Sequence, residues 1–135
     1  MLVIRLQKFS DIDIKYYESI SFNEVYGLNL HPDWLLTYLE EFNLSGNECF
    51  LELYDSEDQS IKGVLPMVKK EIQDNRFFKF NKLIPCGQKP SDFFPLYVEI
   101  NYEKIFAKLL TEWLKKNNEL WDILCINYIP STNRF

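Results

Sequence analysis

The ten residues at 120–129, LWDILCINYI, constrain this chain more than any other stretch. They follow a helix predicted over residues 102–117, and they are apolar at both odd and even positions. Successive side chains of a strand point to opposite faces of its sheet. A run with no polar phase therefore reads as a central strand covered on both faces. A helix leading into such a strand implies a sheet with helices packed on it. A central strand also needs neighbours, and only six residues follow this one. Those neighbours are expected from a longer chain or from a second one.

Upstream, residues 48–54 (ECFLELY), 61–71 (IKGVLPMVKKE) and 76–84 (RFFKFNKLI) are strand-like and are separated by polar turns. Short turns between consecutive strands predict an antiparallel meander. Pro66 has no N–H for a ladder and predicts a bulge or a bare edge. Residues 1–6 form a short strand, and residues 11–20 a helix capped by Ser10 or Asp11. Residues 23–30 are assigned to a loop. His31-Pro32-Asp33-Trp34 starts a second helix, because proline in the first turn loses no needed hydrogen bond and Asp33 faces the positive end of the dipole. Leu35, Leu39 and Phe42 continue that helix, and Asn43 to Gly46 stop it. The helix at 102–117 carries a stripe of Ile105, Phe106, Leu109, Leu110, Trp113 and Leu114, with Asn101 as its expected cap. Three prolines and a glycine exclude regular structure from residues 85–95. The fold class is α/β (α+β), a mixed, mainly antiparallel sheet flanked by helices, in one domain over residues 1–135.

With 47% hydrophobic and 16% aromatic residues the chain can bury a core, and its 11 Phe and 8 Tyr exceed what a bare core needs. Some aromatic residues are therefore expected at an interface or pocket. A net charge of −5 disfavours nucleic acid as a partner. Cys49, Cys86 and Cys125 are odd in number and contain no CxxC pair, which excludes zinc and disulfide frameworks and suits a reducing compartment. Residues 1–6 are too short for a signal peptide, and no stretch is long enough to span a bilayer. The expected location is cytoplasmic, with no membrane partner.

Most catalytic constellations lack material. His31 is the single histidine and is expected to cap a helix or face solvent, so Ser-His-Asp and Cys-His sites are excluded. Gly27, Gly46, Gly63 and Gly87 are isolated, so no phosphate-cradling loop appears, and no residues have metal-ligand spacing. Three features remain. Trp34 is a core anchor or a cleft residue. In Ser91-Asp92-Phe93-Phe94-Pro95-Leu96-Tyr97 an acid sits among aromatics, where Asp92 serves as a base, binds an amine or bonds turn backbone. Asp122, after Trp121, is expected to bond nearby backbone groups.

Read in order, Pro32-x-Trp34, Gly63-x-x-Pro66, Ser91-Asp92-Phe93-Phe94-Pro95-Leu96, Trp121-Asp122-x-Leu124 and Ile129-Pro130 resemble one acyltransferase lobe. It is the amino-terminal lobe of the GNAT-like group that contains CelD-type proteins and FemAB peptidyltransferases. The resemblance spans residues 29–130. Phe93 stands where the group more often has tyrosine, and Pro95 where peptidyltransferases often have a second acid. The resemblance implies a GNAT-like sheet and an acceptor-side lobe of an N-acyltransferase, inactive alone. Asp92 would be catalytic, and Trp34, Phe93, Phe94 and Tyr97 would bind a small-molecule or peptide acceptor. It implies acyl-CoA as the cofactor of the full-length protein, held mainly by a carboxy-terminal lobe. No cofactor-binding or metal residue is assigned in this chain, since nothing in it resembles the group's Q/R-x-x-G-x-G/A loop. Two partners are expected, that missing lobe and a second copy joined through the sheet edge. The competing reading is a non-catalytic protein-interaction domain on the same sheet.

Overall fold

A computed structural model describes residues 1–23, 27–88 and 94–126. Its elements are β1 (Leu2–Gln7), α1 (Ile14–Asn23), α2 (Pro32–Glu41), β2 (Glu48–Asp55), β3 (Ser60–Gln73), β4 (Lys79–Pro85), β5 (Tyr97–Val98), α3 (Glu103–Lys116) and β6 (Ile123–Leu124). The strands make one sheet in the order β1-β2-β3-β4-β6, with β5 also on β3. Every pairing is antiparallel except β4 with β6. The predicted fold class therefore holds. No described helix is long and apolar enough to cross a membrane.

Local chemistry explains the helix boundaries. Phe9–Asp11 forms a 3-10 turn in which Asp11 N–H bonds the Lys8 carbonyl, so α1 begins later than the sequence predicts. Its cap is Asp13, whose Oδ1 accepts Tyr16 N–H at 3.1 Å, in place of Ser10 or Asp11. At α2, His31 Nδ1 accepts Asp33 N–H at 3.1 Å and Pro32 occupies the first turn, as predicted. At α3, Asn101 takes φ of +75° and the capping position falls to Tyr102, without a side-chain bond. The asparagine turns the chain into the helix instead of capping it.

Two irregularities shape β3. Opposite β2, Leu53 pairs with Gly63 and Tyr54 with Ile61, so Lys62 is the extra residue of a bulge. A Cβ on Gly63 would stand 2.7 Å from Val98 Cγ2 and 3.1 Å from the Phe106 ring. Glycine there lets β5 and α3 close on the bulged strand. Pro66 is neither bulge nor bare edge. It lies inside the sheet, facing Phe50 on β2, and its carbonyl accepts Cys86 N–H at 2.8 Å. Its missing N–H faces the end of β4, where the ladder is about to stop.

The last strand differs from its prediction. β6 is two residues long, and Ile123 is 43% exposed while Leu124 joins the core under α3. Among the described residues it is an edge strand covered on one face. Asp122 serves it as expected, since its Oδ2 accepts Asn81 N–H at 2.6 Å and its own N–H reaches the Asn81 carbonyl at 2.7 Å. Residues 127–129 lie outside the described residues.

The sheet separates two cores. On one face Leu51, Leu53, Leu65, Met67 and Leu83 meet Phe106 and Leu110 of α3. On the other, Phe50, Val64 and Val68 meet Tyr17 and Ile20 of α1 and Leu35 and Leu39 of α2.

Candidate functional site

The chain leaves and rejoins the same edge of β3. β4 occupies that edge from Met67 to Gln73, and β5 occupies it at Gly63 and Val64. Leu65 and Pro66 lie between the two. The excursion from Cys86 to Leu96 thus starts at the Cys86–Pro66 hydrogen bond and ends where Tyr97 pairs with Val64. Its ends are held about 7 Å apart, two residues along one strand. A segment whose two ends are tethered to one strand is a common carrier of function.

A second break lies beside it. The β4–β6 ladder closes through Cys125 N–H to the Leu83 carbonyl at 3.0 Å. The next β4 position facing that way is Pro85, which has no N–H to offer. The parallel pairing stops there and β4 ends as the excursion begins.

Trp34 fastens the first part of the excursion. Its Nε1–H donates to the Gly87 carbonyl at 2.7 Å. Gly87 has φ of +84°, and a Cβ there would stand 2.9 Å from both Trp34 Cδ1 and Nε1. Only glycine fits that turn under that ring. The indole N–H is committed within the fold, so Trp34 acts as a clamp. Cys86 beside it is buried, which pushes its thiol well above the ordinary range and leaves it a poor nucleophile.

The remaining predicted site residues divide between the faces. Tyr97 lies half-buried on the α1–α2 face, its ring edge-on to Tyr16 at 6.5 Å. Phe94 is buried on the α3 face with Val98 and Phe106, a packing position. Asp92 and Phe93 lie outside the described residues. Trp34 and Tyr97 thus share a face, and Phe94 does not.

Next to Tyr97 is a buried polar cluster that sequence reasoning missed. Glu52 is fully buried, and it accepts from Arg5 Nε at 2.8 Å and from Tyr17 Oη at 2.9 Å. The Arg5 guanidinium stacks 3.8 Å from the centre of the Tyr54 ring. Tyr16 Oη is also buried but meets no hydrogen-bond partner among the described residues. Burial, with Tyr97 and Glu99 adding to it, pushes the Tyr16 phenol far above its ordinary value. Burial and then Glu52 do the same to Tyr17. Both phenols stay protonated, so the cluster offers hydrogen-bond donors. Its sequence signal was Glu52 in phase with Phe50 and Tyr54 on an otherwise apolar strand.

The start of α3 is poorly suited to bind an anion. Glu103 occupies its first turn, Glu99 precedes it, and Tyr102 gives no side-chain cap. Carboxylates there oppose the helix dipole's attraction for anions. The described residues do not fit a diphosphate group at this helix. Among them, no cluster of His, Cys, Asp or Glu is placed to hold a metal ion.

No family model and no curated protein matches the sequence. Solved structures match the fold. An acetyltransferase from Trypanosoma brucei aligns with a TM-score of 0.52 at 9% identity, over 99% of this chain and 85% of its own. Glucosamine-6-phosphate N-acetyltransferase from Arabidopsis thaliana gives 0.51 at 10%, over 94% and 82%. A GNAT family acetyltransferase from Staphylococcus aureus gives 0.50 at 13%, over 99% and 96%. At such identities the likeness is one of architecture: the chain has a GNAT-like acetyltransferase fold.

Proposed function

We propose that this chain is the acceptor-side lobe of an N-acyltransferase of the CelD-type and FemAB group, spanning residues 1–135 as one unit. Its cofactor half, expected to use acyl-CoA, belongs to a carboxy-terminal lobe of the same protein. One observation carries the reading: a GNAT-like sheet interrupts its own β3 edge and suspends there the excursion that contains Asp92. In this reading Tyr97 and Phe93 face a small-molecule or peptide acceptor, Trp34 clamps the loop, and Phe94 anchors it from below. Asp92 accepts the proton of an acceptor amine as the amine attacks an acyl group presented from the other lobe. The carboxylates at the start of α3 support placing the cofactor's phosphates elsewhere.

Calorimetric titration of this chain with acetyl-CoA is expected to give no binding heat. Micromolar affinity would overturn the division of labour. In the two-lobe protein Asp92→Asn is expected to lower kcat by about 100-fold or more with unchanged thermal stability. Unchanged kcat removes Asp92 from the chemistry.

The exposed aromatic side chains of the β3–β4 hairpin favour a second reading, a non-catalytic interaction domain. The two readings separate on whether the protein that contains this chain transfers an acyl group to any amine.

A further inference from the structure

β3 outruns its neighbour. β2 pairs with it only as far as Val68, and Lys69 N–H bonds the Asn47 carbonyl at 2.9 Å as the last tie on that side. From Lys70 to Gln73, β3 pairs with β4 alone. β6 still flanks β4 at Lys82 and Asp122 bonds Asn81, so only beyond them, from Ile72 and Phe80 outward, does a two-stranded arm project from the sheet. Such ribbons are marginal in water without something to pack on. Yet the tip is built, because Asn75 Oδ1 accepts both Phe77 N–H at 2.8 Å and Phe78 N–H at 3.2 Å. That turn holds Phe77 at 87% exposure and Phe78 at 63%.

The arm's two faces differ in charge. On the α3 side Lys79 lies 4.0 Å from Glu71. On the α2 side Ile72 pairs with Phe80, and Lys70 stands directly opposite Lys82. Like charges opposed across strands destabilise a ribbon unless an acid joins them. Among the described residues neither lysine has an ion pair. The chain as a whole carries −5, so its excess acid lies elsewhere.

Some of that acid sits at the arm's root. α2 starts at the Trp34–Gly87 bond and ends at Glu40 and Glu41, followed by Phe42, all exposed. Turns at Leu44 and Asn47 then lead to the Asn47–Lys69 bond. The α2 end and the arm's cationic face thus form a step on one side of the sheet.

We propose that two copies of this chain interlock at this step around a two-fold axis. The arm of one copy lies along the acidic end of α2 of the other, with Phe77 and Phe78 against Phe42 and with Lys70 and Lys82 facing Glu40 and Glu41. Charge complementarity selects a second copy, since one chain holds both halves of the match. A two-fold arrangement uses both contacts and closes. This interface is distinct from the sheet edge at which self-association was expected.

The test is sedimentation of the full chain over a range of concentration and salt. A dimer that weakens as salt rises is expected. Phe77→Ser with Phe78→Ser, and separately Glu40→Lys with Glu41→Lys, should each weaken it by about tenfold or more with circular dichroism unchanged. Adding Lys70→Glu and Lys82→Glu to the Glu40→Lys, Glu41→Lys variant should restore it. A wild-type monomer at all concentrations overturns the proposal, as does a dimer indifferent to these substitutions. Binding of the monomer to phosphatidylserine vesicles, lost with the two phenylalanines, would assign the arm to a membrane surface and also overturn it.

Discussion

Under α3 the sheet is held by apolar contact: Leu51, Leu53, Met67 and Leu83 against Phe106 and Leu110. Under α1 and α2 the same strands bury a carboxylate, two phenols and part of a guanidinium beside their leucines. Close-packed hydrocarbon stabilises without needing defined partners, whereas a buried acid stabilises only if every oxygen is satisfied. The α3 face is therefore scaffold. The α1–α2 face, where Trp34 and Tyr97 lie, carries polar groups in an arrangement that constrains which side chains the fold accepts. The difference teaches where to look for chemistry on a sheet that carries a core on each side.

The comparison is broken most directly by removing hydrocarbon. Phe106→Ala deletes a fully buried ring from the α3 face and is expected to cost about 3–5 kcal/mol in urea unfolding, with a cavity left between α3 and Gly63. On the other face the expected costs are smaller and depend on partners. Tyr17→Phe strands Glu52 Oε2 and is expected to cost about 1–3 kcal/mol. Its neighbour sharpens the contrast, because Tyr16→Phe removes a hydroxyl that has no partner among the described residues. It is expected to change stability at pH 7 by less than about 0.5 kcal/mol, or to raise it. Equal losses at Tyr16 and Tyr17 would mean that the two phenols share one network.

Alkali gives a further comparison. Both phenols titrate higher in the folded chain than their ordinary value of 10.0. Above pH 10 the unfolded chain therefore releases protons that the native chain keeps, and deprotonation favours unfolding. Stability is expected to hold up to about pH 10 and to fall beyond it. In Tyr16→Phe the fall should be shallower, as read from the urea midpoint against pH. An unchanged slope would mean that Tyr16 ionises freely in the native state.

The longer regular elements were legible because each carries one dominant period, whereas the two-residue β5 carries none. α2 and α3 show helical stripes, α2 with Pro32 and Asp33 in its first turn and α3 with Glu103 in its first turn and Lys115 and Lys116 in its last, and β2 to β4 show strand runs cut by polar turns. Other features depended on partners distant in sequence. Pro66 suggested a bulge, yet the bulge is at Lys62, and Pro66 sits where β4 leaves the ladder. The run at 120–129 suggested a strand covered on both sides, but apolar composition cannot report which neighbours are present, and Ile123 is exposed. Of the site, Trp34 was legible as an anchor from its place in the first turn of α2. Its acceptor, Gly87, is 53 residues away and could not be named. Glu52 likewise bonds Arg5 across 47 residues, and no local pattern announces that pair. Asp92 and Phe93 rest on the motif resemblance and on the tethered ends of their loop.

The shared edge of β3 has a consequence for how such a protein can diversify. Because the strand itself fixes both ends of the excursion, the intervening residues act as an exchangeable cassette. Closing a longer one costs little, about 0.6 kcal/mol for each doubling of length. The sequence between Gln88 and Phe94 can then change in length and chemistry while every strand pairing and both cores stay as they are.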